Sequence, residues 1–108
     1  MIEQRTENLF TIVTLSGKLM GGPETDEFRK CVKDLQKKGV DNLILDLGHV
    51  RWINSAGIGA LISGFATFKR SKGTIKFVNL SPKVKDVLTI TKLSTILDIY
   101  DSLENARK

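Results

Sequence analysis

One cysteine, one histidine, two prolines and no apolar run near the ~20 residues needed to cross a bilayer set the first limits on this 108-residue chain. Cys31 alone allows no internal disulfide, which fits a reducing compartment and a cytoplasmic location. Together, Cys31 and His49 supply too few ligands for a typical zinc site. The opening MIEQRTENLF has no basic region followed by an apolar stretch, so no secretory signal is expected. There is no Pro/Ser-rich linker, no low-complexity stretch and no internal repeat. A Gly-x-x-x-x-Gly-Lys-Ser/Thr phosphate loop is missing, and Gly57-Ile58-Gly59 lacks the third glycine of a dinucleotide fingerprint. A Ser-His-Asp hydrolase would have to pair Ser55 with His49, yet position 53 is Ile where a nucleophile elbow has Gly. No enzymatic activity, cofactor or metal is expected.

What remains is a soluble globular composition, 41% hydrophobic and 27% charged. The length suits one domain over residues 1–108, burying roughly 65% of the surface of the unfolded chain. The net charge of +5 raises the question of nucleic acid. The cations are dispersed, however: Lys37 and Lys38, then Lys69, Arg70 and Lys72, then Lys83 and Lys85. Most fall near helix ends or on polar faces, where the C-terminal dipole suits them, so neither a nucleic-acid nor a membrane partner is expected.

The pattern predicts strands over 2–6 and 9–15, the second rich in β-branched residues, with a tight turn at Glu7-Asn8. Gly17 and then Gly21-Gly22-Pro23 break the chain. A helix follows, with Pro23 in its first turn, Glu24, Asp26 and Glu27 near its positive end, and Phe28, Cys31, Val32 and Leu35 on one stripe until Gly39. Residues 43–47, LILDL, read as a central strand covered on both faces. A long helix runs from about Asn54 to Arg70 carrying Ile58, Leu61, Ile62, Phe65 and Phe68, and TIKFV at 74–78 is another strand. Ser81-Pro82 opens a third helix with Val84, Val87 and Leu88 inside, and Leu93, Ile96 and Leu97 continue its apolar pattern. Residues 98–100 form a short edge strand, and Asp101 or Ser102 caps a last short helix. Strands alternating with helices mean an α/β domain with a mixed, mostly parallel sheet, an N-terminal hairpin and about four helices.

The informative segment is Trp52-Ile53-Asn54-Ser55-Ala56-Gly57-Ile58-Gly59, where strand gives way to the long helix. In open α/β sheets function gathers beyond the carboxyl ends of strands. Asn54 or Ser55 can cap the helix, while Gly57 and Gly59 let a neighbouring backbone or another protein come close. Trp52 is either a packing residue or an interface anchor, Ile58 a core or a contact residue, and Gly21-Gly22 a turn or a recognition loop. Ser55 is expected at the helix start and at least partly exposed. Gly57→Val is expected to weaken partner binding more than folding.

The Asp-Leu of the strand, a short spacer and Asn-Ser-Ala-Gly-Ile-Gly resemble the signature of STAS domains of the anti-sigma-factor-antagonist family. The LSGKL turn, the LILDL strand and the Ser81-Pro82-Lys83-Val84 helix start fall in the same order, so the resemblance covers nearly the whole chain. The family pattern is Asp-Ser, a small residue, Gly, an aliphatic residue and Gly. The resemblance implies an STAS-like fold and a phosphorylation-controlled partner switch that binds an anti-sigma factor serine kinase and releases a sigma factor. A phosphatase would reverse it. By position Ser55 is the implied phosphoacceptor, and Asn54, Ala56, Gly57, Ile58, Gly59, Met20, Gly21 and Trp52 are the implied partner-binding residues. Asn54 stands where the family has Asp, and Met20 where many members carry an acidic residue. These departures leave open a second role, a scaffold or adaptor in a stress-signalling complex that does not act on a sigma factor.

Overall fold

A computed structural model describes residues 2–107. Strands β1 (Ile2–Glu7) and β2 (Phe10–Leu19) form an antiparallel hairpin, with Ile2 opposite Leu15 and Glu7 opposite Phe10. The turn falls on Asn8-Leu9, one residue later than the pattern predicts; Asn8 takes a left-handed φ of 55°, which asparagine tolerates.

Helix α1 (Pro23–Lys37) starts on proline, has Glu24 and Asp26 in its first turn and buries Thr25, Phe28, Val32 and Leu35. Cys31 is only half-buried, on the flank of that stripe. Strand β3 (Asn42–Ile53) leads into α2 (Ser55–Arg70), then β4 (Thr74–Val78) and α3 (Pro82–Ile90). A 3₁₀ turn at Leu93–Thr95 follows, then β5 (Ile99–Tyr100) and α4 (Leu103–Ala106), the last capped by the Ser102 hydroxyl. The sheet order is β1-β2-β3-β4-β5, antiparallel at the hairpin and parallel thereafter.

Right-handed crossovers that always step in one direction lay their helices on one face of the sheet. Accordingly α1, α2 and α3 share a core with one face: Phe28, Val32, Leu35, Leu61, Phe68, Val84 and Leu88 pack with Val13, Leu43, Leu45, Ile75 and Phe77. The alternate strand residues Ile12, Ile44 and Val78 point the other way, onto a small cluster with Ala106 flanked by Phe10, Tyr100 and Leu103. LILDL is covered on both faces as predicted, deeply on one and by α4 on the other.

Several expectations need correction. Gly17 does not end β2: at φ 96° it lies within the strand. β3 does not end at Leu47 but continues six residues further, so His49 is a strand residue opposite Ser16 rather than part of a loop. The reason is two irregularities in the parallel register. Thr14 faces Asp46 while Ser16 faces His49, and Gly17 faces Val50 while Lys18 faces Trp52, so β3 carries an extra residue each time. Each bulge resets the inside–outside alternation, and a period of two no longer marks the strand. In α2 the inward face is Gly57, Ala60, Leu61, Gly64, Thr67 and Phe68, whereas Ile62 is 40% exposed and Ile58 and Phe65 lie at the core's edge. The small residues let α1 come close: a Cβ on Gly64 would stand 3.6 Å from Phe28 and Val32. Ile96, expected inside, is exposed, and Leu97 alone of that pair is buried.

Candidate functional site

β2 and β3 both outrun β4, whose last paired residue, Val78, faces Asp46. Their extensions form a two-stranded end on which the 52–59 segment is mounted. The Asn54 backbone N–H donates to the Leu19 carbonyl at 3.3 Å, tying the end of β3 to the end of β2. The Asn54 side chain then works in two directions. Its Oδ1 accepts from the N–H groups of Ala56 and Gly57 at 3.0 and 3.1 Å, which caps α2. Its Nδ2 donates to the Met20 carbonyl at 3.1 Å, holding the loop that leads to α1.

Because Asn54 is the cap, Ser55 is not. Ser55 is the first residue of α2, exposed, and its hydroxyl has no hydrogen-bond partner among the described residues. Ala56 is exposed beside it. Gly21, at φ 90°, sits where a Cβ would come within 3.0 Å of the Ala56 Cβ, so the 20–22 loop lies directly against the helix start. Its N–H donates to Thr25 Oγ1 at 2.9 Å. Met20 and Trp52 are 43% and 58% exposed, so Trp52 is a surface residue and not a packing one.

Gly57 is different. It is buried, and a Cβ there would lie 2.0 Å from the Leu19 carbonyl oxygen. The close neighbour that Gly57 admits is the protein's own β2, so it offers no surface to a partner, and Gly57→Val would carry a folding cost of its own beside any loss of partner binding. Gly59 is open by comparison: a Cβ would meet nothing nearer than the Arg29 guanidinium at 4.0 Å. Ile58 is half-buried against the main core.

The exposed group at this end is therefore Met20, Gly21, Trp52, Ser55 and Ala56, with Asn54 joining the parts. Sequence reasoning missed Lys18 and Arg51, which are exposed on the same ribbon, Lys18 opposite Trp52. No periodic signal marks them, because they lie in the stretches where the bulges displace the strands' alternation. Neither His49 nor any acidic group hydrogen-bonds Ser55 among the described residues. Among these residues, too, no helix is long and apolar enough to cross a membrane.

The family model for the STAS domain matches residues 1–106. The anti-sigma F factor antagonist of Paenibacillus polymyxa is 25% identical over 107 residues, 97% of this chain and 90% of that protein. The anti-sigma-B factor antagonist of Bacillus subtilis is 32% identical over 71 residues, 66% of this chain and 64% of the relative. The crystal structure of TM1081 from Thermotoga maritima superposes with a TM-score of 0.90 at 26% identity, covering 98% of this chain and 91% of that one. With nearly its whole length matched and the expected mixed sheet in place, the chain belongs to the STAS domain family.

Proposed function

We propose that this chain is an anti-sigma factor antagonist that works by partner switching in the cytoplasm. Unphosphorylated, it binds an anti-sigma factor serine kinase through the surface around Ser55 and so frees a sigma factor. Phosphorylated on Ser55, it lets go, and a phosphatase resets it. The names of its relatives favour this reading, but the observation that carries it is local. Asn54 takes over the capping of α2 and leaves the Ser55 hydroxyl exposed and unengaged at the helix start. A phosphate there adds about −1.5 to −2 charges and three acceptor oxygens. The helix N-terminus accommodates that charge in the free protein, whereas a desolvated contact over Met20, Trp52 and Ala56 does not. Binding is thus controlled without refolding. The absence of acidic side chains at Asn54 and Met20 favours one second reading, an adaptor for a different signalling complex.

The test is a calorimetric titration with the anti-sigma kinase, joined to mass spectrometry after incubation with kinase and ATP. Ser55→Ala is expected to bind like the parent and accept no phosphate. Ser55→Asp is expected to lose about 2–5 kcal/mol, roughly 30-fold to several thousand-fold in affinity. Phosphate on another residue, or an alanine variant binding as poorly as the aspartate one, would overturn the proposal.

A further inference from the structure

We infer that the Ser55 surface is built for an acidic protein segment with an apolar centre, and that phosphate acts there by cancelling the positive charge that holds it. This rests on the partner-switching reading and specifies its partner.

Acidic residues are missing from the stretches that build this end of the molecule. No Asp or Glu occurs from Asn8 to Pro23, nor from Leu47 to Lys85. These two stretches supply the extensions of β2 and β3, the 20–22 loop and all of α2. Of the nearest acids in sequence, Asp46 accepts from the Gly48 N–H at 2.9 Å and from Asn79 at 3.2 Å, while Glu24, in the first turn of α1, keeps its carboxylate beside Gly22 at the edge of this surface. Lys18 and Arg51 are exposed on this ribbon and have no ion pair or hydrogen bond among the described residues.

Several of the other cations have local reasons to be where they are. Lys69 and Arg70 close the last turn of α2, where the carbonyl end of a helix favours positive charge. Arg29, Lys30, Lys33 and Lys37 on α1 are interleaved with Asp26 and Asp34. Lys76 is bonded to the Ala106 carbonyl. Lys18 and Arg51 have no such partner and sit beside Met20 and Trp52, the exposed apolar residues of the same end. Two unbalanced cations flanking apolar side chains fit a segment with carboxylates around one aliphatic residue. A phosphate of nearly −2 at Ser55 offsets their combined +2, and the acidic segment then meets a surface that no longer attracts it.

The experiment uses the full chain labelled with ¹⁵N and a capped hexapeptide of Asp and Glu around a central Leu. Its single tryptophan makes the Trp52 indole N–H a unique reporter. Saturable shifts are expected at that indole and at the amides of Lys18, Met20 and Ser55. The Lys18→Gln/Arg51→Gln variant is expected to bind roughly three- to tenfold more weakly, while Lys33→Gln/Lys37→Gln binds as the parent does. Raising NaCl from about 50 to 200 mM should weaken binding. Phosphoserine installed at position 55 should reduce affinity about tenfold or more. Shifts mapping to α1 instead, or equal binding of the Asn/Gln version of the peptide, would overturn the inference. So would tighter binding of a short DNA duplex to the same amides, or a phosphoserine protein with unchanged affinity. None of these measurements uses a kinase, so their failure is distinct from failure of the switch itself.

Discussion

Asn54 uses both ends of one amide, and the two ends can be separated by substitution. Asn54→Asp keeps an oxygen for the N–H groups of Ala56 and Gly57 and gains about 0.3–1 kcal/mol from charge at the helix N-terminus. It also loses the donor to the Met20 carbonyl and sets a carboxylate beside that oxygen. The expected outcome is an unfolding free energy within about 1 kcal/mol of the parent, with faster amide exchange at Gly21 and Gly22. Unchanged exchange there would mean that the Asn54–Met20 bond does not hold the loop. The glycines three and five residues further on separate just as cleanly. Gly57→Ala drives a methyl into the Leu19 carbonyl and should cost at least about 2 kcal/mol in denaturant unfolding. Gly59→Ala meets open space and should be neutral or stabilising by up to about 1 kcal/mol, since alanine loses less backbone entropy in a helix. At this scale the motif residues were legible as a group. Which glycine faced inward was not, because that depends on β2 running on to Leu19.

Among the elements, those announced by their own chemistry were read correctly: Pro23 and Gly39 around α1, Ser81-Pro82 at α3, and for α4 a cap at Asp101 or Ser102, of which Ser102 is the one. β2 and β3 were read short, since bulges at 47–48 and 51 scramble the alternation that marks a strand. What makes the long β3 tenable beyond β4 is a side chain. Ser81 Oγ donates to the Val50 carbonyl at 2.6 Å and accepts from the Val84 N–H at 3.5 Å, so one hydroxyl both caps α3 and satisfies the strand. Ser81→Ala should therefore cost more than an ordinary cap, about 1.5–3 kcal/mol, with added exchange at Val84 and Lys85. A loss of less than about 0.5 kcal/mol would show that the Val50 carbonyl finds water instead.

For the molecule as a whole, the alternation of strands and helices was enough to give an α/β domain, and the handedness rule explains why α1, α2 and α3 crowd one face. That crowding leaves the other face to a helix of four residues, a division no local pattern announces. Lys76 is the residue that joins the two. It reads as an ordinary polar position in TIKFV, yet its Nζ donates to the Ala106 carbonyl at 2.7 Å and lies over the rings of Phe10 and Tyr100, 5.8 and 5.0 Å from their centres. A charge so placed gains from both contacts, and it adds to the packing of Ala106 and Leu103 and to the Arg107–Glu7 ion pair that also hold α4. Lys76→Met keeps the apolar stem and removes the ammonium. It should lower the global unfolding free energy by about 1–2 kcal/mol and release the amides of Asn105 to Arg107 to exchange by local opening. Phe28→Ala, in the crowded core, should instead cost about 3–5 kcal/mol and raise exchange throughout, because there the loss is a cavity that every packed element feels. If Lys76→Met left the exchange of α4 where it was, the small face would be held by Ala106, Leu103 and Tyr100 with the Arg107–Glu7 ion pair. The thin side of the sheet would then owe its stability to apolar contact and that ion pair and not to the lysine.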